Sequence, residues 1–268
     1  FWLTLQQMGA QEYPDAMVMG YAYVNYFPAP TSGIRLNRNI LVGYCPWPGF
    51  WYPRSDREQV WLEEQWDGWV ATGAGMFWRP NHFLDSYTMP QIFAHQFAEE
   101  FQHYARNGMV ATDFDSLRGQ WAAQGTNLYL LFRLHTRADR PIDELLNEYY
   151  SAFGPAAEQV RRYFDYWENY TMSDRDRFDR AQQQAGVSRY RQTAVFTHVV
   201  FPPEVFERAE RILQEAARAV PGNPVCAARV EFLHKGLEHA KMCARLSALM
   251  AARGDPASAE AAKNLLAQ

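Results

Sequence analysis

The sequence predicts an α/β protein: the C-terminal half of a (β/α)8 barrel, with about four parallel strands, followed by a helical domain. Three observations predict it. Four short apolar runs begin near residues 16, 39, 74 and 108. They are mostly continuous rather than alternating, as in strands covered on both faces of a parallel sheet. Each ends in aromatic or polar residues ahead of a loop, and helical sequence separates the later ones, so the repeat is strand–loop–helix.

Taken in order, residues 2–13 form a predicted helix, stopped by Tyr13-Pro14-Asp15. The first strand opens AMVMGYAYVNYFPAP (16–30). The 14 residues of NYFPAPTSGIRLNR (25–38) carry no helical period but are long enough for a parallel crossover. The second strand opens NILVGYCPWPGFW (39–51), and DREQVWLEEQWDGWVATG (56–73) reads as an amphipathic helix. GAGMFWRPNHF (73–83) holds the third strand. MPQIFAHQFAEEFQHYARNG (89–108) is a helix with Ile92, Phe93, Phe97, Phe101 and Tyr104 at helical spacing and Gly108 as its stop. GMVATDF (108–114) is the fourth strand.

After Gly119 the pattern is helical. Residues 120–136 place Trp121, Leu128, Leu131 and Phe132 on one stripe. PIDELLNEYYSAFG (141–154) carries Pro at its first helical position and Asp-Glu in its first turn. Further helices are expected at 155–170 and, highly charged, at 173–186. An antiparallel pair, 201–224 and 225–254, turns at Pro221-Gly222-Asn223-Pro224, and a last helix ends the chain. Composition shifts from aromatic to Ala, Arg, Glu and Leu across 171–200. The expected organisation is therefore a half-barrel over 1–170, a linker over 171–200 and an α-helical region over 201–268. Closing a packed barrel takes on the order of eight strands. The upstream half of the same barrel is thus an expected partner, with an open four-stranded sheet as the alternative.

Bulk properties exclude several classes. A chain of 268 residues with 48% hydrophobic and 21% charged residues suits a globular protein with a large core. Net charge is −4 and no basic stripe is evident, so no nucleic-acid partner is expected. No apolar run reaches the ~18 residues of a membrane span. Cys45, Cys226 and Cys243 form no CxxC, and there is no HxH, HExxH or Asp/His cluster, so no metal is expected. The glycines at 73–75 belong to no phosphate-binding pattern, and no cofactor is expected. The chain lacks an initiator Met and a signal-peptide pattern and reads as the interior of a longer protein.

Candidate chemistry lies at the strand ends, where parallel α/β folds build their ligand sites. Aromatic content is 15%, and all nine Trp fall between Trp2 and Trp167. Aromatics beside Asn, His, Arg and Asp suit a polyhydroxylated ligand, whose C–H faces stack while its hydroxyls hydrogen-bond. A carbohydrate ligand is therefore expected. Tyr23, Asn25, Tyr44, Trp47, Trp51, Arg79, Asn81 and His82 are the candidate binding residues, with Trp47 or Trp51 as a stacking platform and Arg79 as a clamp for a sugar carboxylate. Asp113 and Asp115 are the acids at a predicted strand end and the candidate catalytic pair, since glycoside hydrolysis uses two carboxyl groups. The structural alternatives are a hydrophobic plug for the tryptophans, loop scaffolding for 79–82, and helix capping or an Arg118 contact for the aspartates.

Trp121, NLYLLFRL (127–134), PIDELLNEYYSAFGPAAEQVRRYFDYWE (141–168) and RVEFLHKGLEHAKM (229–242) resemble the bacterial domain-of-unknown-function family 4838. The resemblance spans about Met17 to Met242. More distantly, the same region is similar to α-glucuronidases, whose last barrel strand leads into a comparable helix. The resemblance implies the late part of a glycoside-hydrolase-like barrel plus a C-terminal helical domain. It also implies a role in bacterial polysaccharide degradation, on a complex or uronate-containing glycan, and a secreted or periplasmic location. A non-catalytic carbohydrate-binding or scaffold module is the alternative. In α-glucuronidases the acid Glu comes from an earlier strand and the base carboxylates from later strand ends. Here the second strand ends in Tyr44-Cys45-Pro46-Trp47 and the third in Arg79-Pro80-Asn81-His82, neither with a carboxylate.

Overall fold

The computed structural model describes residues 1–46, 52–81, 88–114, 117, 119–174, 176–187, 193–252 and 255–267. The elements run α1 (Trp2–Glu12), β1 (Val18–Ala22), a 3-10 turn (Val24–Tyr26), β2 (Ile40–Tyr44), α2 (Asp56–Val70), β3 (Gly75–Trp78), α3 (Ala94–Arg106) and β4 (Met109–Thr112). There follow α4 (Trp121–Arg137), α5 (Ile142–Ser151), α6 (Ala157–Met172), α7 (Arg177–Ala185), α8 (Thr193–Val200), α9 (Pro203–Ala219), α10 (Pro224–Ala251) and α11 (Pro256–Leu266). The chain divides into two compact units. The first comprises Phe1–Phe83, Gln96–Leu117 and Arg137–Asp139, and the second Leu84–His95, Arg118–Thr136 and Arg140–Gln268.

The first unit holds one sheet in the order β1-β2-β3-β4, every pair parallel. Sequential parallel neighbours joined by crossovers are the β/α arrangement the sequence predicts. The register aligns Gly20 with Val42 and Met76, then Tyr21 with Gly43, Phe77 and Ala111, then Ala22 with Tyr44, Trp78 and Thr112. Side chains alternate between faces, so the even positions share one face and Tyr21, Gly43 and Phe77 the other. Val42, Tyr44, Met76 and Trp78 are completely buried on the even face.

Helices cover that even face. A capping box starts α2: Ser55 Oγ accepts from the Glu58 N–H, and the Glu58 carboxylate accepts from the Ser55 N–H. Leu62, Trp66 and Trp69, spaced at helical period, are then buried. From α3, Phe97, Phe101 and Tyr104 join them. Trp66 stacks on Tyr104 at 4.3 Å and Trp78 on Phe97 at 5.6 Å. Each such ring buries roughly 150–250 Å2, about 4–6 kcal/mol at ~25 cal/mol per Å2 before ordering entropy. The indole N–H groups of Trp66 and Trp69 donate to the carbonyls of Asn107 and Phe27, at 2.6 and 2.9 Å. Trp66, Trp69 and Trp78 are therefore core residues.

Within this core lies an ion pair. Arg54 donates to Glu100, both side chains fully buried, and the hydroxyls of Tyr52 and Tyr104 donate to the same carboxylate. Burial alone lowers the Arg54 pKa, and the adjoining Glu100 carboxylate more than offsets it, so the guanidinium stays charged. Gln96 accepts from the Arg54 N–H and donates to its carbonyl, at 2.8 and 3.0 Å. The segment that begins at Tyr52 is thereby tied to α3.

In the second unit the predicted helices are present, with two departures. Leu128 and Leu131 of α4 are buried, but Trp121 and Phe132 are exposed and stack on each other at 5.9 Å. The expected apolar stripe is thus split between a core face and a surface ring pair. Second, the segment 171–200 contains α8, whose sequence TAVFTHVV is rich in β-branched residues of low helix propensity. Tertiary packing decides here: Phe196 and Val200 are buried and α8 packs on α10. Asn127 is completely buried in α4. Its Oδ1 accepts from the Phe93 N–H at 3.0 Å and its Nδ2 donates to the Gln91 carbonyl at 2.9 Å. Thr171 Oγ1 accepts from the Ile92 N–H at 3.2 Å.

Candidate functional site at the strand ends

The hydrogen-bond ladder runs one step past the strands. Cys45 donates to the Ala22 carbonyl, Arg79 to that of Tyr44 and Asp113 to that of Trp78, at 3.1, 2.8 and 2.9 Å. Arg79 and Asp113 are thereby aligned, and the pleat sends both to the face that carries Tyr21 and Phe77. There Arg79 Nε donates to Asp113 Oδ2 at 3.0 Å, and its guanidinium lies over the Tyr21 ring at 5.2 Å. Tyr21 meets Phe77 edge-on at 5.8 Å across β2. Gly43 makes this possible, because a Cβ there would run into both rings.

The pair is partly exposed, 22% for the Arg79 side chain and 45% for that of Asp113. Such a pair contributes at most about 1 kcal/mol, so its main effect is orientation. Asp113 Oδ1 has no partner among the described residues. Asn81 is buried; its Nδ2 donates to Cys45 Sγ at 3.6 Å, and its Oδ1 is shut off from solvent without a hydrogen-bond donor among the described residues. Leaving such an acceptor unmatched costs about 1–3 kcal/mol.

Tyr23 and Asn25 are exposed at the end of β1, beside Tyr26. Between them Val24 has φ of +50°, a left-handed conformation that β-branched residues rarely adopt. Backbone strain of this kind, of order 1–3 kcal/mol, clusters at ligand sites. Tyr44, by contrast, is on the helix face: it is completely buried, and its hydroxyl donates to the Leu62 carbonyl at 2.6 Å. Burial pushes its pKa well above the ordinary tyrosine value, with Glu100 adding to the effect. It is a core residue and no part of this site. Trp47, Trp51, His82 and Asp115 lie outside the described residues.

The structure thus brings together Arg79, Asp113 and Tyr21, with Asn81 bonded to Cys45 on the neighbouring strand. Val24 and Gly43 are the features that sequence reasoning passed over. A glycine interrupting ILVGY was the available signal for Gly43. For Val24 no signal existed, since a β-branched residue is not expected at positive φ. Among the described residues, no group of three His, Cys, Asp or Glu side chains could hold a metal ion. Among them also, no helix is long and apolar enough to cross a membrane.

Four sequential parallel strands joined by crossovers define a β/α protein, and the carboxyl ends of its strands carry a polar cluster. A family model described as a domain of unknown function (DUF4838) matches residues 5–165, and the chain belongs to that family. No curated protein and no solved structure matches it.

Proposed function

We propose that this chain forms the second half of a glycoside-hydrolase-like (β/α)8 barrel, and that its strand-end cluster binds a carbohydrate. One observation carries the reading. Arg79, Asp113 and Tyr21 form a single contact network at the carboxyl ends of parallel strands, the position where barrels place substrate. In this reading Tyr21 and Tyr23 supply ring faces for sugar C–H groups. Asp113 Oδ1 and Asn25 take hydroxyls, while Arg79 orients Asp113 and meets an anionic or hydroxyl group of the ligand. The upstream half of the barrel would cover the second sheet face, where Met19 and Tyr21 are exposed. Asp113 would act with Asp115, or with an acid from that half, as the carboxyl pair of glycoside hydrolysis.

The test is hydrolysis of a glycan and aryl-glycoside panel by the parent protein that includes the upstream half, beside Asp113→Asn and Asp115→Asn. The expected result is loss of at least 100-fold in turnover in one variant with binding retained, the order expected for removing an acid–base group (~10²–10⁴). Turnover untouched by both variants would overturn the catalytic assignment. Glycan binding without turnover in any form would favour a carbohydrate-binding module, a reading to which the Arg79 pairing of Asp113 lends itself.

A further inference from the structure

The α8–α9–α10 region encloses a concavity of about 610 Å3, within the range of roughly 300–1,000 Å3 typical of small-molecule sites. Its floor is apolar: Phe201 and Phe206 are nearly completely buried and Ala244 of α10 is buried beside them, with Ala248 one turn further on at the exposed rim. Its rim carries charge. Lys241 and Arg245, also one helical turn apart, line it from α10, with Glu207 on α9 and His198 on α8. We propose that this pocket binds a small amphipathic monocarboxylate, with the aliphatic or aryl body on the phenylalanine floor and the carboxylate on Arg245.

Charge selects this ligand class. Arg245 has neither an ion-pair nor a hydrogen-bond partner among the described residues, so its planar fork is open to a carboxylate. Lys241 is held by Glu210 at 3.1 Å in an exposed pair, worth little and easily exchanged. Glu207 opposes a second negative charge, which disfavours dicarboxylates and phosphates. His198 offers the ligand an acceptor and no donor, so the carboxylate is placed on Arg245 and not on the ring. Ser247 Oγ gives its one proton to the Val195 carbonyl at 3.2 Å, so at 2.9 Å it accepts from His198 Nδ1. His198 Nε2 is left without a partner among the described residues, and burial lowers the pKa of the ring, keeping it neutral.

The experiment is calorimetric titration of the 268-residue chain with decanoate and, in parallel, with decanol. Saturable binding of decanoate at one site is expected, with decanol at least about tenfold weaker. Arg245→Glu should weaken decanoate about tenfold or more, and Ala248→Trp, at an exposed rim position, should abolish binding by filling the pocket. Circular dichroism checks that both variants keep the fold. Absent or unsaturable decanoate binding, equal binding of decanol, or decanoate affinity unmoved in both folded variants would overturn the proposal.

Discussion

At the scale of single residues, Gly43 decides how the strand-end cluster is built. It sits between Tyr21 and Phe77 in the pairing register, and only a missing Cβ lets those rings meet. Tyr21 in turn carries the Arg79 guanidinium. Gly43→Ala should therefore cost about 1–3 kcal/mol through overpacking and displace Tyr21 from Arg79. Urea unfolding should show a lower midpoint with an unchanged slope. Adding Phe77→Leu should restore part of the loss, a non-additivity that only contacting residues produce. If Gly43→Ala is neutral, the ring pair does not constrain this position. The same parity rule decides which side chains enter the site. Tyr21, Arg79 and Asp113 face one way, while Tyr44 and Trp78 face the helices. Aromatic density alone does not separate the two faces; knowing the register does.

At the scale of elements, α3 is held at two points by charge. In its middle, Glu100 receives Arg54, Tyr52 and Tyr104. Glu100→Ala should destabilise by about 3–5 kcal/mol, because it strands a buried guanidinium, whereas the pair Arg54→Met with Glu100→Leu should recover part of that loss, the Tyr52 and Tyr104 hydroxyls still lacking their acceptor. Urea denaturation of both variants measures it; equal losses would mean the charge pair is more than a mutually compensating core element. At its start, Glu168 accepts from the His95 backbone N–H and from Nδ1, both at 2.8 Å, with Asp143 at 3.5 Å from Nε2. The hydrogen bond to Glu168 raises the His95 pKa to about 9, against the opposing effect of burial. A folded value above the unfolded ~6.5 means stabilisation that is complete below about pH 6.5 and lost as pH rises through about 9. The urea midpoint should decline over that window, and His95→Gln should remove this part of the decline; an unchanged profile in the variant would assign it to other groups. Neither device was readable beforehand. The strands were legible from continuous apolar runs and most helices from their period. An ion pair joining residues 54 and 100 leaves no local trace, and α8 carries a β-branched sequence that only its packing on α10 makes helical.

At the scale of the whole molecule, the sheet has one face built into a core and one that is not. On that second face Met19 (60%) of the edge strand β1 and Ala111 of the edge strand β4 are exposed, with Met17 (58%) just ahead of β1. Edge strands with exposed apolar side chains promote association. Two substitutions separate a surface feature from a covered one. In the 268-residue chain, Met19→Lys with Ala111→Lys removes apolar surface and adds charge on that face at both edges, so sedimentation velocity should show less concentration-dependent association than in the unmodified chain. In the parent protein with the proposed upstream half, the same lysines would be taken out of water. There the double variant should lose stability on the order of 3 kcal/mol or more, read as a fall in the urea midpoint. The sign of the effect thus reverses between the two forms if the face is a barrel interior. A double variant that leaves the parent protein's stability unchanged would mean that this face stays in water in the intact protein, and the sheet would then be an open four-stranded one.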